Sequence, residues 1–254
     1  MLTAVTGINW GDEGKGRVID LLAEHADVVA RYQGGNNAGH TVVTERGKFI
    51  LNLLPSGILH PDVVCVLGAG MVIDLDHLAG EMDAIEERGV KVGPENLKLS
   101  DKATISMPWH KVQDGLEEDR LAQKGAAFGS TRRVGPFDCV ASRYGLACQG
   151  ADKIALTKLD VLSSMKEIPV ITGYTLDGVQ VPSFDPLSDL DRVKPVVTML
   201  PGWNKDISGC KSWDELPKEA KAYVEFLEKQ LGHEIQFVST GAEREKFVLK
   251  GAWL

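Results

Sequence analysis

The chain has 254 residues, a formal net charge of −8 at pH 7 and an isoelectric point near 5.3. This acidity argues against a nucleic-acid or anionic-membrane surface, and no apolar run approaches the ~20 residues of a membrane span. No basic stretch followed by an apolar one opens the sequence, so we expect no signal peptide. The cysteines lack paired metal spacing, and those at Cys65 and Cys139 are predicted to be buried thiols of a cytoplasmic enzyme.

A glycine-dense turn near the start of the chain separates an apolar run from a helix. The run at residues 2–8 predicts a short buried strand, and Trp10-Gly-Asp-Glu-Gly-Lys-Gly16 leads from it into the helix. Such a turn can bind an anion, because unpaired backbone N–H groups and the helix dipole point at one spot. Lys15 adds a positive charge. The alternative is an ordinary glycine turn between two elements.

This turn differs from a standard phosphate-binding P-loop in an informative way. The P-loop pattern requires glycine and serine or threonine where this chain has Asn9 and Gly16. In addition, Asp12 and Glu13 fall inside the expected phosphate cradle. A carboxylate beside a polyphosphate is repelled unless a metal bridges the two or the carboxylate moves a proton. The turn therefore predicts metal-assisted or proton-transfer chemistry.

Further along, apolar segments typical of strands alternate with segments at helical spacing. We predict strands at 27–31, 49–54, 63–67, 154–156, 170–171 and 235–238, helices at 75–88, 109–124, 137–144 and 216–231, and a loop-rich stretch at 182–212. The alternation predicts an α/β fold with a central, mostly parallel sheet flanked by helices, in a single domain covering residues 1–254. Ligands of such folds bind outside the carboxyl ends of the strands.

A second polar loop, Gly34-Gly-Asn-Asn-Ala-Gly-His-Thr41, follows the predicted strand at 27–31. Asn37 can both donate and accept hydrogen bonds. His40 can donate a proton or a hydrogen bond to a developing oxyanion near neutral pH. Lone histidines are usually structural, but this one lies in a polar glycine loop with no apolar surface to pack against, which favours a functional role.

A third loop, Thr157-Lys-Leu-Asp160, resembles the N-K-x-D element with which GTPases bind guanine, with threonine in place of asparagine. An aspartate can accept from both the N1–H and the amino group of guanine, whereas adenine has no such pair of donors. A fourth loop, Ser239-Thr-Gly241, follows the last predicted strand and could donate backbone N–H groups to the guanine carbonyl. A solvated strand end is the alternative for Lys158 and Asp160 alone. Together with the phosphate loop, the two loops favour GTP over ATP.

These motifs, taken together, are similar to those of the adenylosuccinate synthetase family, whose members join IMP to L-aspartate using GTP. The matching segments are Trp10–Gly16, Arg31–Thr41, Leu53–Ile58, Thr157–Leu162, Met199–Trp203 and Ser239–Gly241. The resemblance implies a P-loop-like GTP-binding core, a Mg²⁺ cofactor, small-molecule substrates only and a homodimer.

The same resemblance implies a role for individual residues of this chain. Asp12 would be the general base and a magnesium ligand, His40 would stabilise or protonate the bridging oxygen of GTP, and Lys15 would hold phosphates. GTP would also contact Gly11, Glu13, Gly14, Gly16, Arg17, Gly39, Thr41, Lys158, Asp160, Ser239, Thr240 and Gly241, and the carbonyl of Gly39 would bind the metal. IMP would contact Asp12, Asn37, Ala38 and Thr131, and Arg132 and Arg133 would bind aspartate.

The chain departs from the family pattern near residues 129–136. Members of the family are longer by about a domain, and the missing part would fall between a phosphate-loop remnant at Thr131 and the arginines Arg132 and Arg133. Two hypotheses follow. The chain is a compact ligase, or it is a non-catalytic or engineered GTP- and Mg²⁺-binding core without a complete IMP and aspartate pocket.

Overall fold

The computed structural model describes residues 1–8, 13–37, 39–44, 47–123, 135–181 and 192–251, with only the helical backbone for residues 117–123. The chain divides into two compact units. We call residues 16–133 the N-terminal unit, and residues 1–15 together with 134–254 the C-terminal unit.

The N-terminal unit combines parallel strands with helices, as the alternating sequence pattern predicts. Its elements are α1 (Lys15–Ala23), β1 (Val28–Gly34), β2 (His40–Thr44), β3 (Gly47–Leu51), a 3-10 helix (Ser56–Leu59), β4 (Val64–Asp74), α2 (Leu75–Glu86), β5 (Leu97–Leu99), β6 (Thr104–Ser106) and α3 (Pro108–Gln123). Strand β4 pairs in parallel with β1, β5 and β6, and β2 and β3 form an antiparallel hairpin.

The long strand β4 supplies the centre of this unit's core. Cys65, Leu67, Met71 and Ile73 have no exposed surface, and the inner side of α2 packs in the same cluster. Burial raises the pKa of the Cys65 thiol to about 12, so this cysteine is a neutral packing residue. The prediction of a buried thiol at Cys65 is confirmed.

The C-terminal unit has two sheets. Its elements are β7 (Phe137–Asp138), α4 (Cys139–Gln149), β8 (Ile154–Leu156), a 3-10 helix (Leu159–Leu162), β9 (Glu167–Leu176), β10 (Val179–Val181), β11 (Val193–Pro201), a 3-10 helix (Trp213–Glu215), α5 (Lys218–Leu231), β12 (Ile235–Ser239) and β13 (Phe247–Leu249). One sheet has the order β10-β9-β11 with β7 parallel to β9. In the other, β12 lies between β13 and β8 and runs parallel to β8.

Helix α5 covers the core of the C-terminal unit with one apolar face. The buried residues of this helix are Ala220, Tyr223, Val224, Leu227 and Leu231, as the amphipathic pattern predicts. Burying each of the larger side chains stabilises the fold by about 1.5–3 kcal/mol. The helix ends at Gly232, whose φ of 71° is the left-handed conformation that a glycine adopts without strain. Cys139 also lies in this core, and burial raises its pKa to about 11.

The prediction of a strand at residues 2–8 is wrong. Residues 1–7 form no strand, Leu2 is 94% exposed, and Ile8 alone packs against the C-terminal core. An apolar run becomes a strand only where a neighbouring strand takes up its backbone N–H and C=O groups. No described strand pairs with this segment.

Two other sequence predictions need correction. The stretch predicted to be loop-rich contains β11, which pairs with β9 over its whole length; residues 182–191 lie outside the described part. Pro195 and Pro201 are typical of loops rather than strands, but β11 tolerates them because it is an edge strand of its sheet. Phe137 was predicted to be helical but belongs to β7, and the Asp138 carboxylate caps α4 by accepting from Val140 N and Ala141 N.

The predicted α/β class with a parallel sheet is confirmed, although the described strands form four separate sheets rather than a single central one. The single-domain boundary stays a prediction. Among the described residues, none of the helices combines the length and the apolar character needed to cross a membrane.

We predict that Gly202, directly after β11, tolerates no side chain. Its N–H donates to the Lys166 carbonyl over 2.8 Å, and a Cβ atom there would overlap the Met165 carbonyl oxygen. Gly202→Ala should lower the free energy of unfolding by about 1–3 kcal/mol, the usual cost of overpacking. Denaturant titration measures this value.

Gly209→Ala is the matched control, because nothing lies within 4 Å of a Cβ atom built at that position. Equal unfolding free energies for the two alanine variants would contradict the close approach of the chain at Gly202.

Candidate functional site

In the C-terminal unit, the turn before α1 is tied to the loop after β8. The Thr157 hydroxyl donates to the Glu13 carbonyl over 2.6 Å. Gly14 has a φ of 80°, and a Cβ atom there would lie 3.5 Å from Thr157. Lys15 Nζ lies 2.5 Å from a Glu13 carboxylate oxygen. The predicted phosphate turn and the predicted guanine loop are therefore neighbours.

The loop after β8 turns sharply at Lys158. This residue is exposed and has φ 60° and ψ 34°, an uncommon left-handed conformation for a residue with a side chain. The turn starts a 3-10 helix with Asp160 in its first turn. The half-buried Asp160 carboxylate forms no hydrogen bond or ion pair within the described residues, so its oxygens are available to a ligand.

A second loop lies at the same sheet edge. Strand β12 is parallel to β8, with Leu156 opposite Val238, so Thr157 and Ser239 leave adjacent strand ends. Ser239 and Thr240 are buried, and the Ser239 hydroxyl donates to the Gly241 carbonyl over 3.1 Å. Thr240 N donates to the Lys246 carbonyl over 2.8 Å. The Thr240 hydroxyl is buried and has no partner among the described residues.

In the N-terminal unit, His40 lies at the start of β2 against the N-terminal end of α1. Its Nε2 atom is 3.3 Å from the Ser56 hydroxyl, which donates to the Gly16 carbonyl over 2.9 Å. A Cβ atom on Gly16 would be 2.5 Å from His40 Cγ, so the imidazole packs directly on this backbone. Burial lowers the pKa of His40; Arg31 lowers it further, and Asp20 opposes the shift.

Arg31 and Glu81 hold the segment that carries Ser56. The Arg31 guanidinium donates to the Gly35 carbonyl over 2.9 Å and to the Asn52 carbonyl. The buried Glu81 carboxylate accepts from three successive backbone N–H groups, those of Asn52 (2.7 Å), Leu53 (2.9 Å) and Leu54 (3.2 Å). Charge-assisted bonds to a buried carboxylate fix this backbone strongly.

The loop after β1 is tied to the end of β4. The Asn36 amide donates to an Asp74 carboxylate oxygen over 3.3 Å, and Lys111 Nζ lies 2.5 Å from the same oxygen. Asp74 also caps α2 by accepting from His77 N over 3.1 Å. The hydrogen bond from Lys111 holds the pKa of the buried Asp74 below its ordinary value.

The predicted site residues fall into three groups. In the C-terminal unit, Glu13 and Gly14 lie beside Thr157, and Lys15 pairs with Glu13. Lys158 and Asp160 lie at the same sheet edge as Ser239, Thr240 and Gly241. In the N-terminal unit, His40 contacts Gly16, Arg17 follows on α1, and the exposed residues Asn37, Gly39 and Thr41 flank His40 on its loop and on β2. The remaining predicted residues lie outside the described part: Gly11, Asp12, Ala38, Thr131, Arg132 and Arg133.

The sequence predictions missed Ser56, Glu81, Asp74 and Lys111. Ser56 was part of a recognised motif but had no assigned role. Glu81 had a readable signal, because it lies at helical spacing between the buried Leu78 and Ile85 of α2. A carboxylate on the apolar side of a helix predicts a buried partner.

Comparison with known proteins places the chain in a family. A family model described as adenylosuccinate synthetase matches residues 4–131 and 119–248, almost the whole length. The chain belongs to the adenylosuccinate synthetase family. This is a family of GTP-dependent ligases, and the match comes in two pieces that overlap at residues 119–131.

Individual relatives agree with the family match. The adenylosuccinate synthetase of Aquifex aeolicus is 28% identical over 415 aligned positions, which cover 96% of this chain and 96% of that protein. The enzyme of Myxococcus xanthus is 28% identical over 424 positions, covering 96% of this chain and 97% of that protein. Both alignments are longer than the 254 residues of this chain, so they contain positions at which it has no residue.

A solved structure supports the fold. The fully ligated adenylosuccinate synthetase from Plasmodium falciparum superposes with a TM-score of 0.85 at 21% identity, covering 96% of this chain and 98% of that one. At this identity the likeness concerns the fold alone. Within the described ranges, no group of three or more His, Cys, Asp or Glu side chains could hold a metal ion.

We predict that Lys111 stabilises the loop after β1 through Asp74. Because the folded-state pKa of Asp74 is lowered, its ionised form adds stability above its ordinary pKa, and this stability is lost as the pH falls through the folded value. Lys111→Met removes the main cause of the shift. The variant should have a smaller unfolding free energy at neutral pH and a shallower loss between about pH 5 and pH 3.

Lys102→Met removes an exposed lysine of the same unit and serves as the control. Denaturant titrations across this pH range would contradict the role of Lys111 if both variants followed the profile of the unmodified protein.

Proposed function

We propose that this chain carries out GTP-dependent ligation of IMP and L-aspartate to adenylosuccinate through a 6-phosphoryl-IMP intermediate. The observation that carries the proposal is the parallel pairing of β8 with β12, which puts the Asp160 and Ser239–Gly241 loops at one sheet edge. The turn at Glu13, bonded to Thr157, adds the phosphate element to these two loops. Membership of a family of GTP-dependent ligases supports the same function.

The choice of GTP follows from the chemistry of Asp160. An ionised carboxylate accepts two hydrogen bonds, matching the N1–H and amino donors of guanine. Adenine offers no such pair and would leave the carboxylate unsatisfied. The stem of Lys158 would lie along the base, and N–H groups of the Ser239–Gly241 loop would donate to the guanine 6-oxygen.

The phosphates would be bound by the turn and by α1. Lys15 and the amides of Gly11, Glu13, Gly14 and Gly16 are the proposed ligands, with Arg17, Gly39 and Thr41 adding further contacts. A helix N-terminus favours anions because its first N–H groups have no partner within the helix.

The reaction would proceed in two displacements. Asp12 takes the N1 proton of IMP, the 6-oxygen attacks the γ-phosphorus, and GDP leaves while His40 stabilises the charge on the bridging oxygen. The amine of aspartate then attacks C6, and phosphate leaves. Positioning and electrostatics supply most of the acceleration in phosphoryl transfer. IMP would contact Asn37, Ala38 and Thr131, and Arg132 and Arg133 would bind the aspartate.

Mg²⁺ fits the residues proposed for it. Asp12 and the Gly39 carbonyl are oxygen donors, and magnesium prefers few protein oxygens together with waters and phosphates. A Cβ atom at Gly39 would lie 2.7 Å from Asn52 Nδ2, so a side chain at this position would require the Asn52 amide to move. The bound ion would neutralise phosphate charge.

The pocket for IMP and aspartate is the part of the proposed site that a missing segment would affect. The two-piece family match and the alignments longer than the chain support a missing segment close to residues 129–136. In that case a non-catalytic or engineered GTP- and Mg²⁺-binding core is the alternative function. We also propose that the protein is cytoplasmic and a homodimer, as the family resemblance implies.

For nucleotide choice, we expect Asp160→Asn to weaken GTP binding by about 2–3 kcal/mol, because one acceptor becomes a donor facing guanine donors. Isothermal titration calorimetry with GTP and ATP measures the difference. Asp152→Asn, at an exposed aspartate before β8, is the matched control and should leave the GTP affinity unchanged. Equal affinity of the unmodified protein for ATP and GTP would refute the guanine assignment.

For catalysis, we expect GTP with Mg²⁺ to raise the melting temperature, while turnover with IMP and aspartate stays far below that of full-length relatives. A transferred group needs its nucleophile aligned within about 3–3.5 Å, and an incomplete acceptor pocket loses that alignment before it loses nucleotide affinity. Phosphate release from GTP, measured with and without both acceptors, provides the test.

Robust adenylosuccinate formation that Asp12→Ala abolishes would show that the compact chain is a complete enzyme. Single substitutions of Arg132 and Arg133 would then reveal, through the Michaelis constants for aspartate and IMP, which of the two completes the pocket. A melting temperature unaffected by GTP and Mg²⁺ would contradict both functions.

A further inference from the structure

Ser56 lies between the Gly16 carbonyl and the ring of His40. It is 1% exposed and begins the 3-10 helix Ser56–Leu59. Its hydroxyl oxygen is 2.9 Å from the carbonyl oxygen and 3.3 Å from His40 Nε2. One hydroxyl group thus meets two partners in a buried position.

The single proton of this hydroxyl decides the direction of both hydrogen bonds. A carbonyl oxygen only accepts, so the contact with Gly16 requires Ser56 to donate to it. The hydroxyl then has only lone pairs left for His40, and its bond to Nε2 requires that nitrogen to carry a proton. We infer that Ser56 is a positioning residue that holds neutral His40 in the Nε2–H tautomer and leaves Nδ1 as the nitrogen without a proton.

The surroundings of His40 keep the ring in this orientation. Its edge packs on the backbone of Gly16, where even a methyl group would overlap the ring. Within the described residues, the charged groups that act on the ring are Arg31 and Asp20, and Asp20 pairs with His60 over 3.2 Å. Neither of them bonds to Nδ1, and among the described residues the ring's hydrogen bond is the one between Nε2 and Ser56.

The backbone before Ser56 is fixed independently of His40. Glu81 accepts from the N–H groups of Asn52, Leu53 and Leu54, which end two residues before Ser56. The hydroxyl is therefore brought to His40 by a buried carboxylate on α2, and its position does not depend on a bound ligand.

The tautomer determines what His40 offers to a ligand. A neutral ring presents an acceptor at Nδ1, suited to a ligand N–H or O–H group or to a water. The proposed function has His40 stabilise charge on the bridging oxygen; a hydrogen bond to that oxygen from Nδ1 would need a second proton on the ring while Ser56 continues to accept from Nε2. This consequence rests on the proposed function; the tautomer itself does not.

The test is nuclear magnetic resonance of the full chain without nucleotide. Long-range correlations between ring carbon-bound protons and ring nitrogens identify the tautomer of each of the six histidines, and His40→Gln assigns the signal. At about pH 8.5, some two units above the ordinary histidine pKa, the ring is neutral. We expect a single Nε2–H form for His40, and a neutral Nδ1–H form would overturn the inference.

Substitution of Ser56 separates its role from general packing. In Ser56→Ala, we expect the Nε2 proton to exchange with solvent at least about fivefold faster, the factor that corresponds to one net hydrogen bond of about 1 kcal/mol. Ser56→Thr keeps the hydroxyl and should restore slow exchange. An exchange rate unchanged in Ser56→Ala would overturn the assignment.

Ser142→Ala is the matched control. Ser142 is also 1% exposed, but its hydroxyl has no partner among the described residues and it lies on α4 of the other unit. Its removal should leave the His40 signal unchanged, and an equal effect from both alanine variants would contradict a specific role for Ser56. If Ser56→Ala does not fold, the tautomer of His40 in the unmodified protein alone tests the inference. Calorimetry with GTP is independent of these results, so failure of the proposed function remains distinguishable.

Discussion

Parallel strand pairing decides where the chemistry of each unit can lie. In the N-terminal unit, β1 and β4 run side by side, and the loop that follows β1 is bonded to Asp74 at the end of β4. In the C-terminal unit, β8 and β12 also run side by side, so the loop that begins at Thr157 and the loop that continues from Ser239 lie at one edge of their sheet. Parallel strands end at a common edge, so residues far apart in sequence become neighbours without any special contact between them.

Buried polar groups then fix the backbone of these loops. Glu81 holds three N–H groups, and Asp74 holds an asparagine side chain and a helix N-terminus. Each carboxylate would be costly to bury without these donors, and each loop would lose its shape without the carboxylate. Ser56 extends the same arrangement by one hydrogen bond to His40. Glu81, through the backbone before Ser56, thus contributes to the position of the His40 ring.

Sequence alone could predict the elements whose signal is local. The buried face of α5 and the position of the Thr157–Asp160 loop directly after β8 follow from periodicity and from motif spacing, and both are where the sequence places them. The predictions for residues 2–8 and for strand β11 were wrong for one physical reason. Whether an apolar or proline-containing run becomes a strand depends on a partner strand elsewhere in the chain.

Of the candidate site, the sequence could predict the loops but not the contacts that hold them. Glycine loops with polar side chains are visible in the sequence, and their motifs are sufficient to indicate the family. The partners of Ser56 and Glu81 could not be predicted in this way, because they lie 16 and at least 27 residues away in the sequence. A hydroxyl or a carboxylate within an apolar segment predicts a partner but does not identify it.

We propose that the base of GTP binds at the carboxyl ends of β8 and β12. The most direct measurement is a crystal structure of the chain with a non-hydrolysable GTP analogue and Mg²⁺. We predict that the guanine N1 and amino nitrogens lie about 2.7–3.2 Å from the Asp160 carboxylate, with the 6-oxygen facing the Ser239–Gly241 backbone. A base bound at any other place, or a guanine that makes no contact with Asp160, would contradict this account.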